Sequence, residues 1–389
     1  MTGAPPPAFA GVLRLPPGRV RVWAIGLFFI GLALIVGAPL FGYHDWPAFW
    51  TAGNLVGSPE IVSFEGTIAW QRARGMSLAV FPYPPAVGYA FLPFALLPLG
   101  VAFWVHALAM VGCAIAAGVA GARAFGLPTS MGVLATLAWA PVTGAIAIGQ
   151  NTPFALLLAA LAILWLVEER TGWAGAVVGF LGYKPTLALP LAGLLVLRRR
   201  WIDAGVVIAT GLVWYAVGVV ATGGDLRWPV AWVDLLGQWL ADDTAANADK
   251  AVSLPGLVDR LGVPDWVPRV VGGAMVVVAL PRLIRAPLRE AAVGALLIGV
   301  AASPHAWGYE AALLVPFVWW ALAGGLAEPW RTRLIVAAYL IVPLWMVSSV
   351  TQVSAVAFVV IGAYVIWVAG LFRPNPTTAA PTKLVVRPA

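Results

Sequence analysis

Residues 101–120 read VAFWVHALAMVGCAIAAGVA and contain no Asp, Glu, Lys or Arg. A helix of about 20 apolar residues crosses the hydrocarbon core of a bilayer. Residues 23–41 and 202–221 are similar in length and almost as apolar. A spanning segment must satisfy its own backbone hydrogen bonds, and these continuous runs do not resemble the short alternating strands of a membrane barrel. The three stretches therefore predict an all-α protein that spans a membrane.

The composition of the whole chain also indicates a membrane protein. Of 389 residues, 61% are hydrophobic and 10% are charged, whereas a soluble domain carries about 25% charged residues. The mean hydropathy is +0.92. The net charge of +7 comes mostly from arginines at predicted helix ends, which is typical of membrane topology and not of nucleic-acid binding. The single cysteine, Cys113, excludes an internal disulfide.

Successive apolar segments predict about twelve transmembrane helices in one domain, residues 22–371. A short segment, residues 1–21, precedes the domain, and a Pro-rich tail, residues 372–389, follows it. Two long loops connect the helices, over residues 42–83 and 223–265. The predicted spans are residues 22–41, 84–98, 101–121, 129–148, 152–167, 173–197, 202–222, 266–281, 290–303, 309–326, 332–349 and 353–371.

Short basic clusters predict how the protein sits in the membrane. Loops rich in Lys and Arg remain in the cytoplasm, which places both ends of the chain inside and both long loops outside. The second long loop starts with tryptophans spaced along residues 228–239, a pattern that predicts an amphipathic helix at the membrane surface. We therefore expect a plasma-membrane protein whose active face is extracytoplasmic. The clusters are Arg14, Arg19 and Arg21; Arg198, Arg199 and Arg200; Arg282, Arg285 and Arg289; Arg331 and Arg333; and Arg373 with Lys383.

Residues 173–197 admit two arrangements. As one transmembrane span, they place Lys184 in the middle of the membrane and leave Gln150 and Asn151 on the cytoplasmic side. As a helical hairpin with Lys184 at its tip, they bring all three residues to the outer side. The hairpin requires residues 84–121 to make a single net crossing. The sequence favours neither arrangement.

An acidic residue closely follows the first predicted helix. The first loop opens Gly42-Tyr-His-Asp-Trp-Pro-Ala-Phe-Trp-Thr-Ala-Gly53, which places Asp45 near the outer surface among aromatic residues. A carboxylate that is partly removed from water has a raised pKa and becomes a better general base near neutral pH. Asp45 is therefore either a candidate base or an interfacial carboxylate that only faces water.

Three further ionisable residues stand out. Lys184 lies inside an apolar run, and an intramembrane charge usually marks a functional site. It is a candidate to bind a lipid phosphate, unless its amine only extends to the membrane surface. His305 and Glu310 lie five residues apart at another predicted outer turn. Glu310 is thus a second candidate base.

The order of these motifs resembles a known family. An Asp after the first helix, followed by an aromatic-rich segment ending in Ala-Gly, resembles the membrane glycosyltransferases of the GT-C class. More specifically, the chain resembles glycosyltransferase family 87, the polyprenol-phosphate-mannose-dependent α-1,2-mannosyltransferases of actinobacterial envelopes. The order and spacing agree over most of the chain. The matching motifs are Asp45 with Phe49-Trp-Thr-Ala-Gly53, Tyr83-Pro-Pro85, Gly149-Gln-Asn151, Lys184-Pro185 ahead of Arg198-Arg-Arg-Trp201, and Ser303-Pro-His305.

The resemblance implies a GT-C fold and an extracytoplasmic transferase. A sugar, expected to be mannose, moves from a polyprenyl-phosphate donor to a hydroxyl of a glycolipid or lipoglycan with inversion. Asp45 is then the catalytic base, and His305 is a second catalytic residue. Many GT-C enzymes carry a pair of acidic residues in the first loop, whereas His44 precedes Asp45 here. We therefore expect neither a metal nor another cofactor.

The remaining residues of the predicted site are assigned from their charge and their position in the sequence. The leaving phosphate needs cations, and the candidates are Lys184, Arg72, Arg74 and His305. A transporter or flippase of lipid-linked sugars is the alternative function, since it too would have about twelve helices and a buried cation. It is the less favoured one, because the chain shows no evident internal repeat. The expected substrate-binding residues are His44, Tyr83, Gln150, Asn151 and Glu310.

Overall fold

The computed structural model of the protein describes residues 31–32, 45–247, 250–342 and 355–373. Every regular element in these ranges is a helix, so the predicted all-α class is confirmed. Short 3-10 helices lie at Pro59–Val62, Pro85–Val87, Leu181–Tyr183 and Gly308–Leu314, and a π-helix lies at Ala321–Gly325. The α-helices are α1 (Trp46–Leu55), α2 (Phe64–Arg72), α3 (Gly88–Ala95), α4 (Leu99–Phe125), α5 (Thr129–Leu137), α6 (Ala140–Ala147), α7 (Thr152–Val167), α8 (Trp173–Phe180), α9 (Pro185–Leu197), α10 (Trp201–Ala221), α11 (Trp228–Asn247), α12 (Leu254–Asp259), α13 (Trp266–Arg285), α14 (Leu288–Ala301), α15 (Val315–Trp320), α16 (Trp330–Ile341) and α17 (Ala355–Ala369).

Three of the described helices, α4, α10 and α13, are long and apolar enough to cross a membrane. Their lengths of 27, 21 and 20 residues match the length that a span requires. A fourth span results if α5 and α6, which meet at an angle of 57°, act as one. The protein is therefore a membrane protein, but the predicted count of about twelve spans is not confirmed. The first predicted span, residues 22–41, lies outside the described residues except for Gly31 and Leu32.

Prolines interrupt two of the predicted spans. Residues 129–148 form α5 and α6, and the break falls at Trp139, whose ψ of 106° is extended. Pro141 lacks the N–H that would continue α5, and in a continuous helix its ring would clash with the Leu137 carbonyl four residues earlier. Residues 309–326 likewise form a 3-10 helix, α15 and a π-helix, with Pro316 in the first turn of α15. Neither range is therefore one continuous helix.

Residues 173–197 form a helical hairpin. Helix α8 and the 3-10 turn after it lead to Lys184, which has φ −116° and ψ 83° because the residue before a proline avoids helical backbone. Gly172, just before the hairpin, donates its N–H to the Asp203 carboxylate at 2.7 Å. Arg200, just after the hairpin, donates to the same carboxylate at 2.6 Å. The start of the first arm and the end of the second arm therefore lie side by side, with Lys184 at the tip between the two arms. The hairpin arrangement is confirmed.

The opposite end of the bundle from Lys184 collects the basic clusters, and we call it the arginine end. Arg198 donates to the Ala286 carbonyl, which follows α13 directly. Arg282 and Arg373 both pair with the buried carboxylate of Glu290. These contacts bring three of the predicted basic clusters together at one end of the helix bundle, as expected of loops that share one side of a membrane.

The predicted loop 42–83 contains two helices, and the first of them is buried. Trp46 and Phe49 of α1 are 0% and 1% exposed. Helix α1 packs on α3, where Gly53 approaches the Phe91 carbonyl so closely that a Cβ would lie 2.4 Å from its oxygen. The Ala-Gly pair at the end of the aromatic segment therefore serves helix packing.

The two long loops meet at the end of the bundle opposite the arginine end, and we call this the loop end. The helix predicted over residues 228–239 is confirmed and continues as α11, which contacts α2. The Gly57 N–H donates to the Ala221 carbonyl at 2.7 Å, and the Val252 N–H donates to the Ala306 carbonyl at 2.9 Å. The first bond fastens the first long loop to the end of α10, and the second fastens the second long loop to the turn that follows α14.

Candidate active site

Asp45 lies at the loop end, immediately before α1. Its N–H donates to the Ile148 carbonyl at 3.0 Å, and its Oδ2 accepts from Gln150 Nε2 at 2.8 Å. Gly149 permits this contact, because its φ is +80° and a Cβ there would lie 2.6 Å from the Cβ of Trp46. The Gly-Gln-Asn motif thus delivers an amide to a half-buried carboxylate.

Tyr83 connects this carboxylate to a wider network. Its hydroxyl lies 3.3 Å from Gln150 Oε1 and 3.5 Å from Asn151 Oδ1, within reach to donate to either. The Tyr183 hydroxyl donates to the Asn151 carbonyl at 3.4 Å. All four side chains are buried. Hydrogen bonds shielded from water in this way are strengthened and hold the network in one arrangement.

Lys184, at the tip of the hairpin, also lies near Tyr83. Its side chain is only 4% exposed, so it does not extend to the protein surface. Its Nζ is 3.6 Å from Glu310 Oε1, 3.5 Å from Thr152 Oγ1 and 5.7 Å from the ring centres of Tyr83 and Tyr309. A carboxylate and two aromatic faces therefore offset the cost of removing this ammonium group from water.

Glu310 is engaged through both carboxylate oxygens. Its Oε1 faces Lys184, and its Oε2 accepts from the Trp307 N–H at 3.1 Å, which caps the 3-10 helix. Glu310 thus anchors Lys184 to the turn before that helix. We call the residues that converge here the loop-end cluster: Asp45, Tyr83, Gln150, Asn151, Lys184 and Glu310.

His305 lies against the second long loop, next to this cluster. The rings of Trp239 and Trp307 stand edge-on to the imidazole, with centroids 4.5 Å away in each case. Its Nε2 is 3.4 Å from Asp243 Oδ2. Burial, and then the charge of Lys184, lowers the pKa of His305 to about 4. The imidazole is therefore neutral near pH 7 and does not supply a positive charge to a phosphate in this state.

The structure does not bring every predicted site residue into the loop-end cluster. Arg72 and Arg74 lie at the exposed end of α2, where Arg74 stacks over the Trp70 ring at 3.7 Å. Within the described ranges, neither arginine contacts the cluster. His44 lies outside the described residues.

The cluster brings a carboxylate and a buried ammonium group to the same tyrosine, Asp45 through Gln150 and Lys184 at 5.7 Å from the ring centre. A carboxylate can take a proton from a hydroxyl, and an ammonium group can stabilise an anion that leaves. Residues 81–307 match the sequence profile of glycosyltransferase family 87. This range is more than half of the chain.

The chain belongs to glycosyltransferase family 87. The predicted resemblance is confirmed, and the protein is a membrane glycosyltransferase. Comparison with curated proteins and with solved structures gives no match. Nothing in the fold or in the family match supports the alternative function of a transporter.

The match covers most of the candidate site of this family 87 glycosyltransferase. Asp45 precedes the matched range and Glu310 follows it, so their assignment depends on the geometry described above. Arg72 also precedes the matched range. The candidate residues inside the range are Tyr83, Gln150, Asn151, Lys184 and His305.

Reasoning from the sequence missed the neighbours of two site residues. Asp243 was one of several acids in the second long loop, yet it lies beside His305. A signal was present, because Trp239 and Asp243 are four residues apart and therefore share one helix face. The hydroxyl of Thr152 at Lys184 was also missed, and no sequence pattern pointed to it.

Proposed function

We propose that the protein transfers a sugar, expected to be mannose, from a polyprenyl-phosphate donor to a hydroxyl of a glycolipid or lipoglycan. The observation that carries this proposal is the convergence of Asp45 and Lys184 at the loop end. One residue can accept a proton, and the other can stabilise a phosphate. Family membership supports sugar transfer, whereas the polyprenyl carrier, the acceptor and an α-1,2 linkage belong to the proposal.

The proposed step is a single displacement. The acceptor hydroxyl attacks the anomeric carbon, and Asp45 takes its proton as the new carbon–oxygen bond forms. The bond between the anomeric carbon and the phosphate oxygen breaks, and its electron pair leaves with the polyprenyl phosphate. Attack from the face opposite the leaving group inverts the configuration, so that a β-linked donor gives an α product. The transition state resembles an oxocarbenium ion, as in glycoside hydrolysis.

Lys184 is the buried cation that would receive the leaving phosphate. Its distance of 3.6 Å to Glu310 exceeds the roughly 2.7–2.9 Å of a strong charged hydrogen bond, so the ammonium group retains capacity for another anion. His305 is neutral near pH 7, which leaves the charge compensation to Lys184. Donor contacts by Arg72 and Arg74 stay a prediction.

An apolar groove beside the cluster fits the lipid part of the donor. The groove has a volume of about 320 Å³ and runs between the hairpin and α10. Pro84, Gly182 and Pro185 line the part next to Tyr83 and Lys184. A polyprenyl chain in this groove would place its phosphate at the hairpin tip. Further lining residues include Ala188, Ala192, Val207, Gly211 and Trp214.

Filling the groove is expected to weaken binding of long-chain donors selectively. Gly211 lines it, and a Cβ at this position meets no atom within 4 Å, so the space open at Gly211 lets Gly211→Leu narrow the groove. Displacing two methylenes of the lipid costs about 1.6 kcal/mol, which raises the donor KM about tenfold. Donors with a truncated lipid should keep their KM, which kinetics with a series of chain lengths measures.

Gly205→Leu is the matched control, since Gly205 lies on the same helix, has the same open space and does not line the groove. We expect Gly205→Leu to leave the KM of every donor unchanged. Equal effects of Gly211→Leu on long and truncated donors would exclude the groove as the lipid site.

We also propose that the loop end faces the outside of the plasma membrane. The arginine end collects basic loops, which remain in the cytoplasm. In a Cys113→Ser background, a membrane-impermeant thiol reagent added to intact cells is expected to label Asp234→Cys in α11 and not Arg199→Cys. The reverse labelling pattern would invert the proposed orientation.

An activity screen tests the proposed function directly. The purified protein in detergent is supplied with several polyprenyl-phosphate sugars and with envelope glycolipids, and transfer is followed by release of polyprenyl phosphate. We expect turnover with the mannosyl donor and an α-linked product. Turnover only with a nucleotide sugar would refute the lipid-linked donor.

A further inference from the structure

The second long loop contributes an acidic side chain to the surroundings of His305. Trp239 and Asp243 lie four residues apart on α11 and share one face of that helix. His305 and Trp307 belong to the turn that follows α14. An antiparallel bridge between Ala251 and Trp307 fastens the loop to this turn. Two segments far apart in the sequence therefore enclose one imidazole.

Asp243 is held in place independently of His305. Its Oδ2 accepts from Trp307 Nε1 at 2.7 Å, and its Oδ1 accepts from Asn247 Nδ2 at 2.8 Å. The same Oδ2 lies 3.4 Å from His305 Nε2. The carboxylate is thus oriented by its other neighbours toward the imidazole.

Both ring nitrogens of His305 are buried, and neither makes a hydrogen bond in this structure. A buried polar group without a partner costs about 1–3 kcal/mol. The closest acceptor to Nε2 among these neighbours is the Asp243 carboxylate, and a small movement of the ring would bring the pair to hydrogen-bonding distance. Hydrogen bonds in an active site are often long without substrate and tighten once substrate binds.

We propose that Asp243 is a positioning residue, which accepts a hydrogen bond from Nε2–H of His305 and so sets the tautomer and orientation of the imidazole. The partner of one ring nitrogen determines which nitrogen carries the proton. With the proton on Nε2, the lone pair of the neutral imidazole lies on Nδ1. The catalytic part of this inference rests on the proposed function.

The tautomer can be measured without any assay of activity. The chain contains three histidines, so the full-length protein labelled with ¹⁵N-histidine gives few imidazole signals, and His305→Ala identifies those of His305. We expect Nε2 to carry the proton in the unsubstituted protein. Asp243→Asn can keep an oxygen on the Trp307 indole, and that oxygen still faces Nε2 but carries no negative charge, so its hydrogen bond to Nε2–H is weaker and we expect the Nδ1-protonated tautomer to appear beside the Nε2-protonated one. The same tautomer in both proteins would overturn the proposal.

Kinetics then distinguish the positioning of His305 by Asp243 from a purely structural role of Asp243. Misplacement of a catalytic group costs on the order of 10²-fold, so Asp243→Asn should lower kcat by about that factor and leave the donor KM within about twofold. Asp242→Asn, at the neighbouring exposed acid, is the matched control and should match the unsubstituted protein. When Asp243→Asn is added to His305→Ala, kcat should not fall any further, since Asp243 acts through His305.

If Asp243→Asn lowers kcat by the same factor in the His305→Ala background, Asp243 has a purely structural role and the proposal is overturned. A fully active His305→Ala variant would also overturn the proposal. If Asp243→Asn does not fold, as judged by its melting temperature, Asp243→Ser enters the same double-mutant cycle and the same ¹⁵N measurement. A failure of the proposed function is recognised separately, because the unsubstituted protein would then not turn over any polyprenyl-phosphate sugar.

Discussion

Asp45→Asn is expected to abolish sugar transfer while leaving the protein folded. The substitution keeps the shape of the side chain and an oxygen that can accept from Gln150 Nε2, which lies 2.8 Å from Oδ2. It removes the basicity that deprotonates the acceptor hydroxyl, and loss of a general base lowers the rate by roughly 10²–10⁴-fold. The measurement is kcat at saturating donor and acceptor, together with the donor Kd, which should stay near its original value.

Glu310→Gln is the control that separates the two candidate bases. Glu310 already caps a 3-10 helix and faces Lys184, so its loss should disturb donor binding more than the proton transfer. We expect a raised donor KM and a smaller loss of kcat than in Asp45→Asn. A nearly unchanged turnover in Asp45→Asn beside an inactive Glu310→Gln would assign the base to Glu310.

Lys184→Met is expected to raise the donor KM by about ten- to a hundredfold. A hydrogen bond to a charged group contributes about 1.5–3 kcal/mol, and each 1.4 kcal/mol corresponds to a factor of ten. Lys184→Arg keeps the charge and should retain part of the affinity. Steady-state kinetics with varied donor, at fixed saturating acceptor, measure both effects.

The loss of Lys184 also leaves the Glu310 carboxylate without its cation, and breaking such a buried pair destabilises a protein by about 3–5 kcal/mol. The double variant Lys184→Met/Glu310→Gln removes both charges and separates stability from binding. We expect it to melt closer to the unsubstituted protein and still to bind the donor weakly. A donor KM that is unchanged in a folded Lys184→Met variant would show that Lys184 does not bind the phosphate.

Several parts of the site could be predicted from the sequence because each depends on a local rule. A lysine inside an apolar run is costly without a function, which singled out Lys184. The helical class followed from the length of the apolar runs, as in residues 101–120. The ordered motifs that resemble family 87 also anticipated that Gln150 and Asn151 belong with Tyr83, and the structure places these three residues in contact.

Other features depend on contacts between segments far apart in the sequence. The breaks within residues 129–148 and 309–326 were missed, although Pro141 and Pro316 lie beside them and lack the N–H that a continuous helix needs. Arg72 and Arg74 were assigned by charge alone, and charge does not reveal that α2 ends at an exposed surface. The spacing of Trp239 and Asp243 shows that they share a helix face, but their contact with His305 depends on how the second loop packs on a distant turn.

The helices that begin at the loop-end cluster have a consequence for the electric field there. Asp45, Asn151 and Lys184 each precede the first turn of a helix, α1, α7 and α9, and none of these starts is capped by its side chain. The N-terminal end of a helix carries a partial positive charge of about half an elementary unit from its aligned peptide dipoles. Three such ends start at one cluster, so the backbone adds a positive potential there that no substitution of a side chain removes.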